Sequence, residues 1–279
     1  MNIQIESSNC CNLACSECPQ HLMKRKRQVM SKEVFDVVLD KYIAPLKNEE
    51  DRLGYPPTVI WHKDGEPLTN CNLKDFMIKV AMRKPEFRFN LYTNGLLLTE
   101  DFLDFLNRLP NLTWLFISYH FFNFNGERND YSKLDELIIK ALNSREKKYE
   151  HIKFVFTSHV TRFITKDDLN MWGTIWKTKV PEDRLTIGIN DCINPWTGLI
   201  DEPNCVKFDG CPYADFGHLF IGVTGNVLPC CMCLEEDIIF GNIMTDVPED
   251  IYSKANDFYT RLREKDLPHD LCKNCLGVK

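Results

Sequence analysis

Three cysteines stand at C-x3-C-x2-C spacing in Cys11-Asn12-Leu13-Ala14-Cys15-Ser16-Glu17-Cys18-Pro19, directly after the alternating run Ile3-Gln4-Ile5-Glu6. A strand that runs into a loop carrying three thiols is a poor core element. It is a good wrapper for an iron–sulfur cluster, because soft thiolates suit iron. A cluster that only carries electrons normally has four protein ligands. Three leave one iron open to a small molecule, as a catalytic zinc keeps one open position. A zinc knuckle and buried free thiols are the rival readings, and the loop lacks the paired C-x2-C of a zinc ribbon.

A second set follows late in the chain. Cys211 precedes an apolar run at 219–223, a Thr224-Gly225-Asn226 turn, and Val227-Leu228-Pro229-Cys230. That pattern predicts a hairpin, which would bring a cysteine ahead of it close to one at its far end. Cys272-Lys273-Asn274-Cys275 then offers two sulfurs on one tight turn, suited to a metal or cluster. Zinc and iron–sulfur are evenly matched on these residues alone.

The loop resembles the signature of radical S-adenosylmethionine enzymes. The resemblance implies that Cys11, Cys15 and Cys18 hold a [4Fe-4S] cluster; only Cys11, not Cys10, gives x3 spacing to Cys15. It implies that S-adenosylmethionine chelates the open iron through its amino and carboxylate groups. Reductive cleavage then gives a 5′-deoxyadenosyl radical that abstracts hydrogen from a substrate. Glu17 departs from the family, which usually has an aromatic or apolar residue there, packed beside the adenine. Asp64-Gly65-Glu66-Pro67 resembles the family's Gly-Gly-Glu-Pro motif, with Asp64 in place of the first glycine. By that resemblance Gly65, Glu66 and Pro67 meet the methionyl ammonium. An ammonium needs acceptors, and glycine permits close backbone approach.

The tail resembles the SPASM/twitch extension of the same family, with Cys211, Gly225 and Cys230 as its C-x(9-15)-G-x4-C element and Phe240-Gly241-Asn242-Ile243 after it. The fuller extension has seven cysteines. Here no C-x2-C-x5-C lies between Cys233 and Cys272, so one auxiliary [4Fe-4S] cluster is expected, on Cys211, Cys230, Cys272 and Cys275. Cys231 and Cys233 are alternatives to Cys230. Cys71, Cys192 and Cys205 are read as buried thiols.

The elements that must position these groups alternate. Strands are expected at 58–62, 87–92, 114–119, 152–160 and 185–189, with helices at 31–45, 73–84, 100–109, 131–148 and 166–176 between them. Strand–helix alternation means a parallel sheet. Periodicity leaves an open doubly wound sheet and a barrel both standing. The resemblance implies a partial (β/α)6 TIM-like barrel over 1–200, then a cysteine-rich domain over 201–279 where Pro and Gly crowd together. Barrel sites lie at strand C-termini. Ser118 is therefore a candidate for cofactor binding, and His120 shares its strand face by period-two parity. Thr157 pairs likewise with His159, and His62 precedes the Gly-Glu-Pro turn. These three histidines are the pocket candidates. Ile187 and Ile189 are candidates to pack on adenine, though more simply they are barrel core. Lys24-Arg25-Lys26-Arg27 reads as a solvated face.

The chain has 279 residues, 44% hydrophobic and 27% charged, so it is an ordinary globular sequence rather than a disordered one. A net charge of -6 argues against nucleic acid held by bulk electrostatics. No positive-then-apolar leader and no run of ~20 apolar residues is present, so neither a signal peptide nor a membrane span is expected. Thirteen cysteines then point to metal in a reducing compartment, and a cytoplasmic location is expected. The expected partners are a small-molecule or peptide substrate and an electron donor such as flavodoxin or ferredoxin. A net oxidation of a small polar molecule is favoured, because the chain starts almost at the first strand, with no fused peptide-recognition domain. A peptide- or protein-modifying maturase is the alternative, and a zinc-stapled binding protein the rival of a different class.

Overall fold

The computed structural model describes residues 2–47, 56–144, 148–191, 199–200, 210–214 and 218–276. Six strands, β1 (Asn2–Ile5), β2 (Thr58–Trp61), β3 (Arg88–Thr93), β4 (Leu112–Ser118), β5 (Lys153–His159) and β6 (Leu185–Asn190), pair in parallel. The helices between them are α1 (Lys32–Val38), α2 (Leu73–Arg83), α3 (Glu100–Asn107), α4 (Ser132–Leu142) and α5 (Lys166–Lys179).

Strand order decides between the two architectures left open by periodicity. The sheet runs β6-β5-β4-β3-β2-β1 without a reversal. A doubly wound sheet reverses at a switch point, whereas unbroken order with right-handed crossovers keeps every helix on one face. The sheet is therefore a partial barrel. Its outer face carries Ile3, Ile5, Val59, Trp61, Phe89, Leu91, Leu115, Ile117, Phe154 and Phe156, all buried against the helices. Each such side chain contributes roughly 1.5–3 kcal/mol through burial. The inner face is different. Tyr92 stacks on Phe116 at 4.1 Å, Trp114 lies 5.8 Å from Phe116, and His62 lies 5.7 Å from Tyr92. These rings fill the floor of the barrel and leave the strand tips open.

Helix starts follow their caps. Ser31, Thr99 and Thr165 each accept from a backbone N–H in the first turn of α1, α3 and α5, and Thr165 with Asp168 completes a capping box. The helix expected at 31–45 is α only to Val38 and continues as a π turn, Leu39–Ile43. The helix expected at 131–148 stops at Leu142.

The tail does not stand apart from the sheet. β7 (His218–Ile221) pairs in parallel with β1, and β8 (Asn226–Leu228) turns back antiparallel, as the hairpin reading requires. Gly225, at φ 87°, makes that turn. β9 (Gly241–Asn242) follows, then α6 (Pro248–Arg263) and α7 (Asp270–Leu276). Tyr259 on α6 donates to the Pro229 carbonyl at 2.5 Å, and Arg263 donates to the Ala214 carbonyl at 2.7 Å. No helix among the described residues is long and apolar enough to cross a membrane.

Candidate active site

After β1 the chain makes a long loop that is stitched to itself. The Asn9 side chain accepts from the Gln28 N–H at 2.6 Å and donates to the Lys26 carbonyl at 2.9 Å. Ser16 N–H donates to Phe122 O at 3.3 Å, and Phe124 N–H to Ala14 O at 2.9 Å, which ties the loop to the segment after β4. Backbone contacts on both sides thus hold the cysteines, and their sulfurs are left for other work.

Cys11, Cys15 and Cys18 line one cavity of about 390 Å³ at the C-terminal ends of the strands. Cys10 is not in its wall, in agreement with the spacing argument. His62, His120, His159, Ser118, Gly65 and Glu66 line the same cavity, so every pocket candidate except Pro67 is brought together. Pro67 is buried at the start of the short 3-10 turn Pro67–Thr69. Burial pushes the Cys11 and Cys15 thiols up, and Cys18 up to about 12. Such thiols keep their protons until a metal displaces them, so loading the loop releases protons.

The Gly-Glu-Pro turn packs directly on the cysteine loop. A Cβ on Gly65 would meet the Ser8 carbonyl oxygen at 2.5 Å and that of Cys10 at 2.6 Å. The Glu66 N–H donates to the Cys10 carbonyl at 2.8 Å. Its carboxylate accepts from Thr93 Oγ1 at 2.7 Å, Asn94 N–H at 2.7 Å and Leu68 N–H at 3.0 Å. Burial raises the Glu66 pKa, with those bonds opposing it. Most of its acceptor capacity is therefore spent inside the protein. The spare acceptor on this turn belongs to Asp64, whose Oδ1 is buried with no hydrogen-bond partner among the described residues. The residue that replaces the family's glycine thus supplies what an ammonium needs. These thiols, the glycine cradle and this oxygen fit a three-thiolate cluster with S-adenosylmethionine.

Strand parity holds on β4, β5 and β6. Ser118 and Thr157 hydroxyls lie 3.2 Å apart in the wall, with His120 and His159 beyond them. On β6 it is Asn190 that lines the cavity. Ile187 packs on the other side, where a Cβ on Gly173 of α5 would lie 3.5 Å from it, and Ile189 shares that face. Of the two readings of Ile187 and Ile189, adenine neighbours or core, the structure favours core, since both pack against the buried cluster.

Cys211, Cys230, Cys272 and Cys275 line a second, small cavity of about 50 Å³. Cys272 and Cys275 sit one turn apart on α7 rather than on the tight turn expected. Cys231 and Cys233 are not in that wall. Cys231 Sγ lies 3.0 Å from the Tyr213 hydroxyl, and Cys233 Sγ accepts from the Ile238 N–H at 3.4 Å. Met232 lines both cavities. Among the described residues, no three His, Cys, Asp or Glu side chains converge as a single-ion site. Cys71 is exposed, against the expectation of burial, and Cys192 and Cys205 lie outside the described residues.

Sequence reasoning missed a buried charge network. Arg25 leaves the basic run, where it was read as solvated, and is only 13% exposed. It pairs with Glu6, with Asp64 at 2.7 Å and with Glu236 at 3.1 Å. Lys63, fully buried, pairs with Asp64 and donates to the Cys233 carbonyl at 3.1 Å. Burial pushes the Glu6 carboxyl up, but Lys63 and Arg25 hold it below the ordinary range. One signal was available: Glu6 shares the inner face of β1 with Gln4, so its charge had to find a partner.

A partial barrel with three thiols on its first loop, a polar pocket above them and four further thiols gathered in the tail is the architecture of an iron–sulfur enzyme that activates a bound small molecule. Comparison with known proteins is in accord. Residues 5–156 match the Radical SAM superfamily model, and residues 211–276 match SPASM, an iron–sulfur cluster-binding domain. The chain belongs to the radical SAM superfamily and carries a SPASM extension. It is a radical S-adenosylmethionine enzyme of oxidoreductase type, with a [4Fe-4S] cluster, S-adenosylmethionine and auxiliary iron–sulfur binding. The match of the tail displaces the zinc-stapled reading.

Over 281 residues the chain is 23% identical to the S-adenosyl-L-methionine-dependent 2-deoxy-scyllo-inosamine dehydrogenase of Niallia circulans, covering 99% of this chain and 92% of that one. Among solved structures, BtrN in complex with AdoMet and 2-DOIA is similar at a TM-score of 0.66 and 22% identity, over 98% of this chain and 92% of that chain. Native anSMEcpe with bound AdoMet and the Kp18Cys peptide is similar at a TM-score of 0.65 and 15% identity, over 99% of this chain and 88% of that one. At these identities the structures establish the fold.

Proposed function

We propose that this enzyme carries out a net two-electron oxidation of a small polar molecule, of the hydroxylated-ring class. The observation that carries the reading is the cavity itself, which places Cys11, Cys15 and Cys18 under a wall of His120, His159, Thr157 and Asn190. The end-to-end similarity to a cyclitol dehydrogenase supports it. When bound, the reduced cluster and S-adenosylmethionine supply a 5′-deoxyadenosyl radical that abstracts hydrogen. The protein's own residues do the rest. Cys11, Cys15 and Cys18 hold the cluster. Asp64 Oδ1 and the backbone of the Gly65 turn accept from the methionyl ammonium, with Glu66 bracing that turn. Ser118 is assigned to the ribose or carboxylate of the cofactor. The floor of aromatic rings closes the barrel from below and excludes water there. Cys211, Cys230, Cys272 and Cys275 are assigned to one auxiliary cluster. With four ligands it has no open iron and is suited to electron transfer. The division of the chain is drawn near residue 200. Exposed Lys24, Lys26 and Arg27 beside the cluster loop suit an acidic electron donor such as flavodoxin or ferredoxin.

The test is anaerobic reconstitution, then a search for 5′-deoxyadenosine with 2-deoxy-scyllo-inosamine as substrate and, separately, with a cysteine-containing peptide. The expected result is formation that depends on the cyclitol. Formation only with the peptide would replace this reading by that of a maturase.

A further inference from the structure

Glu17 stands where an apolar adenine neighbour was expected, and the cluster and cofactor assignments leave its charge unused. It is 6% exposed and lines the main cavity. Its Oε2 accepts from the Ser16 hydroxyl at 2.8 Å, and its Oε1 lies 2.7 Å from His120 Nδ1. His120 is fixed at its backbone too. Its N–H donates to the Tyr131 hydroxyl at 2.9 Å, and its carbonyl accepts from Asn129 Nδ2 at 2.5 Å. Its ring is parallel to that of His159, with centroids 6.4 Å apart.

A carboxylate beside Nδ1 takes that nitrogen as its donor, which fixes the ring and leaves Nε2 as its second hydrogen-bonding atom. A polar atom in a cavity wall calls for a hydrogen-bonding group on the ligand, and a hydroxyl can both donate and accept. The neighbouring groups, Ser118, Thr157, Asn190 and Tyr92, are neutral hydrogen-bonding side chains. Charges in the wall are already engaged: Glu17 with Ser16 and His120, Lys63 with Asp64, and Glu66 with its three donors. Lys63 is the only Lys or Arg in the wall among the described residues, so a substrate phosphate or carboxylate finds no spare cation there.

We infer that His120 is the anchor for a substrate hydroxyl, meeting it at Nε2, and that the substrate is a neutral or amine-bearing polyhydroxylated ring. Glu17 is the positioning residue that holds the ring in place through Nδ1. The pair gives up an apolar wall and gains orientation, because one fixed hydroxyl decides which ring carbon faces the reacting centre. The inference rests on the small-molecule reading and narrows it.

Its test is binding without turnover. scyllo-Inositol, 2-deoxy-scyllo-inosamine and myo-inositol 1-phosphate are titrated calorimetrically into the reconstituted, S-adenosylmethionine-loaded enzyme in the absence of reductant. Wild type binds the first two and binds the phosphate more weakly. His120→Phe keeps a ring but removes its hydrogen-bonding nitrogens, and should weaken binding of both by about tenfold or more. Its iron content and S-adenosylmethionine affinity should stay at the wild-type level. Glu17→Gln should weaken binding by itself, yet add nothing once His120 is Phe, because Glu17 acts only through that ring. A purely structural Glu17 would add its full effect in the double variant, which would overturn its assignment. If Glu17→Gln loses iron, the His120→Phe result decides. Ring binding by His120→Phe within twofold of wild type overturns the anchor while leaving the small-molecule reading intact. Tighter binding of the phosphate overturns the neutral-substrate claim. Wild-type failure to bind either phosphate-free ring removes both the anchor and the reading beneath it.

Discussion

Glu66 shows how one side chain can brace a pocket wall from within. Its carboxylate joins the turn after β2 to the tip of β3 through Thr93, Asn94 and Leu68. Glu66→Ala should strand two buried N–H groups at about 1–3 kcal/mol each. We expect a fall of several degrees or more in melting temperature together with weaker S-adenosylmethionine binding. Weaker binding at unchanged melting temperature would instead mean that the carboxylate meets the ammonium directly. His62 makes a pH prediction. Burial, with His120 nearby, pushes its imidazole from 6.5 down to about 4. A depressed histidine favours the folded state above its unfolded pKa, and that contribution is lost as pH falls. Urea midpoints should therefore drop between pH 6.5 and about 4 by more in wild type than in His62→Leu. Parallel curves would contradict this. At this scale the three thiols of the loop were legible because their spacing is local. Asp64 was not, because its partner Arg25 lies 39 residues away in sequence and reaches it only through the fold.

Among the elements, the loops after β1 and β2 and the turn at 233–236 act as one unit, joined by Arg25. The Arg25 backbone N–H donates to Glu235 at 3.0 Å, its Nε donates to the Leu234 carbonyl at 2.6 Å, and its guanidinium meets Glu6 and Asp64. Removing one partner of a buried network leaves uncompensated charge, at roughly 3–5 kcal/mol. Arg25→Met should lower the chemical denaturation midpoint accordingly, and the cost should shrink when Glu6→Gln is added, since the two share a network. Additive losses would show that the pairs are independent. Strand parity was legible wherever alternation was clean, as at Ser118 and His120. It could not choose a face on β6, where Ile187-Gly188-Ile189 offers two apolar residues and a glycine and gives no sign of which face meets α5. Arg25 was hidden for another reason: a run of four basic residues looks uniform in sequence, and only tertiary contact picks one to bury.

The whole molecule joins two thiol sets through a single sheet. β7 pairs with β1, so the tail's hairpin extends the barrel strand that leads into the first cysteine loop. Met232 then stands in the wall of both cavities. The barrel was legible from alternation plus resemblance, but the attachment of the tail was not, since parallel pairing of β7 with β1 spans most of the chain. The central claim is that the two sets hold two clusters, and iron and acid-labile sulfide per chain measure it directly. After anaerobic reconstitution the account predicts about eight irons with matching sulfide in wild type. The Cys11, Cys15, Cys18→Ala variant should hold about four, on the auxiliary set alone. A wild-type value near four, or zinc without labile sulfide, would contradict it.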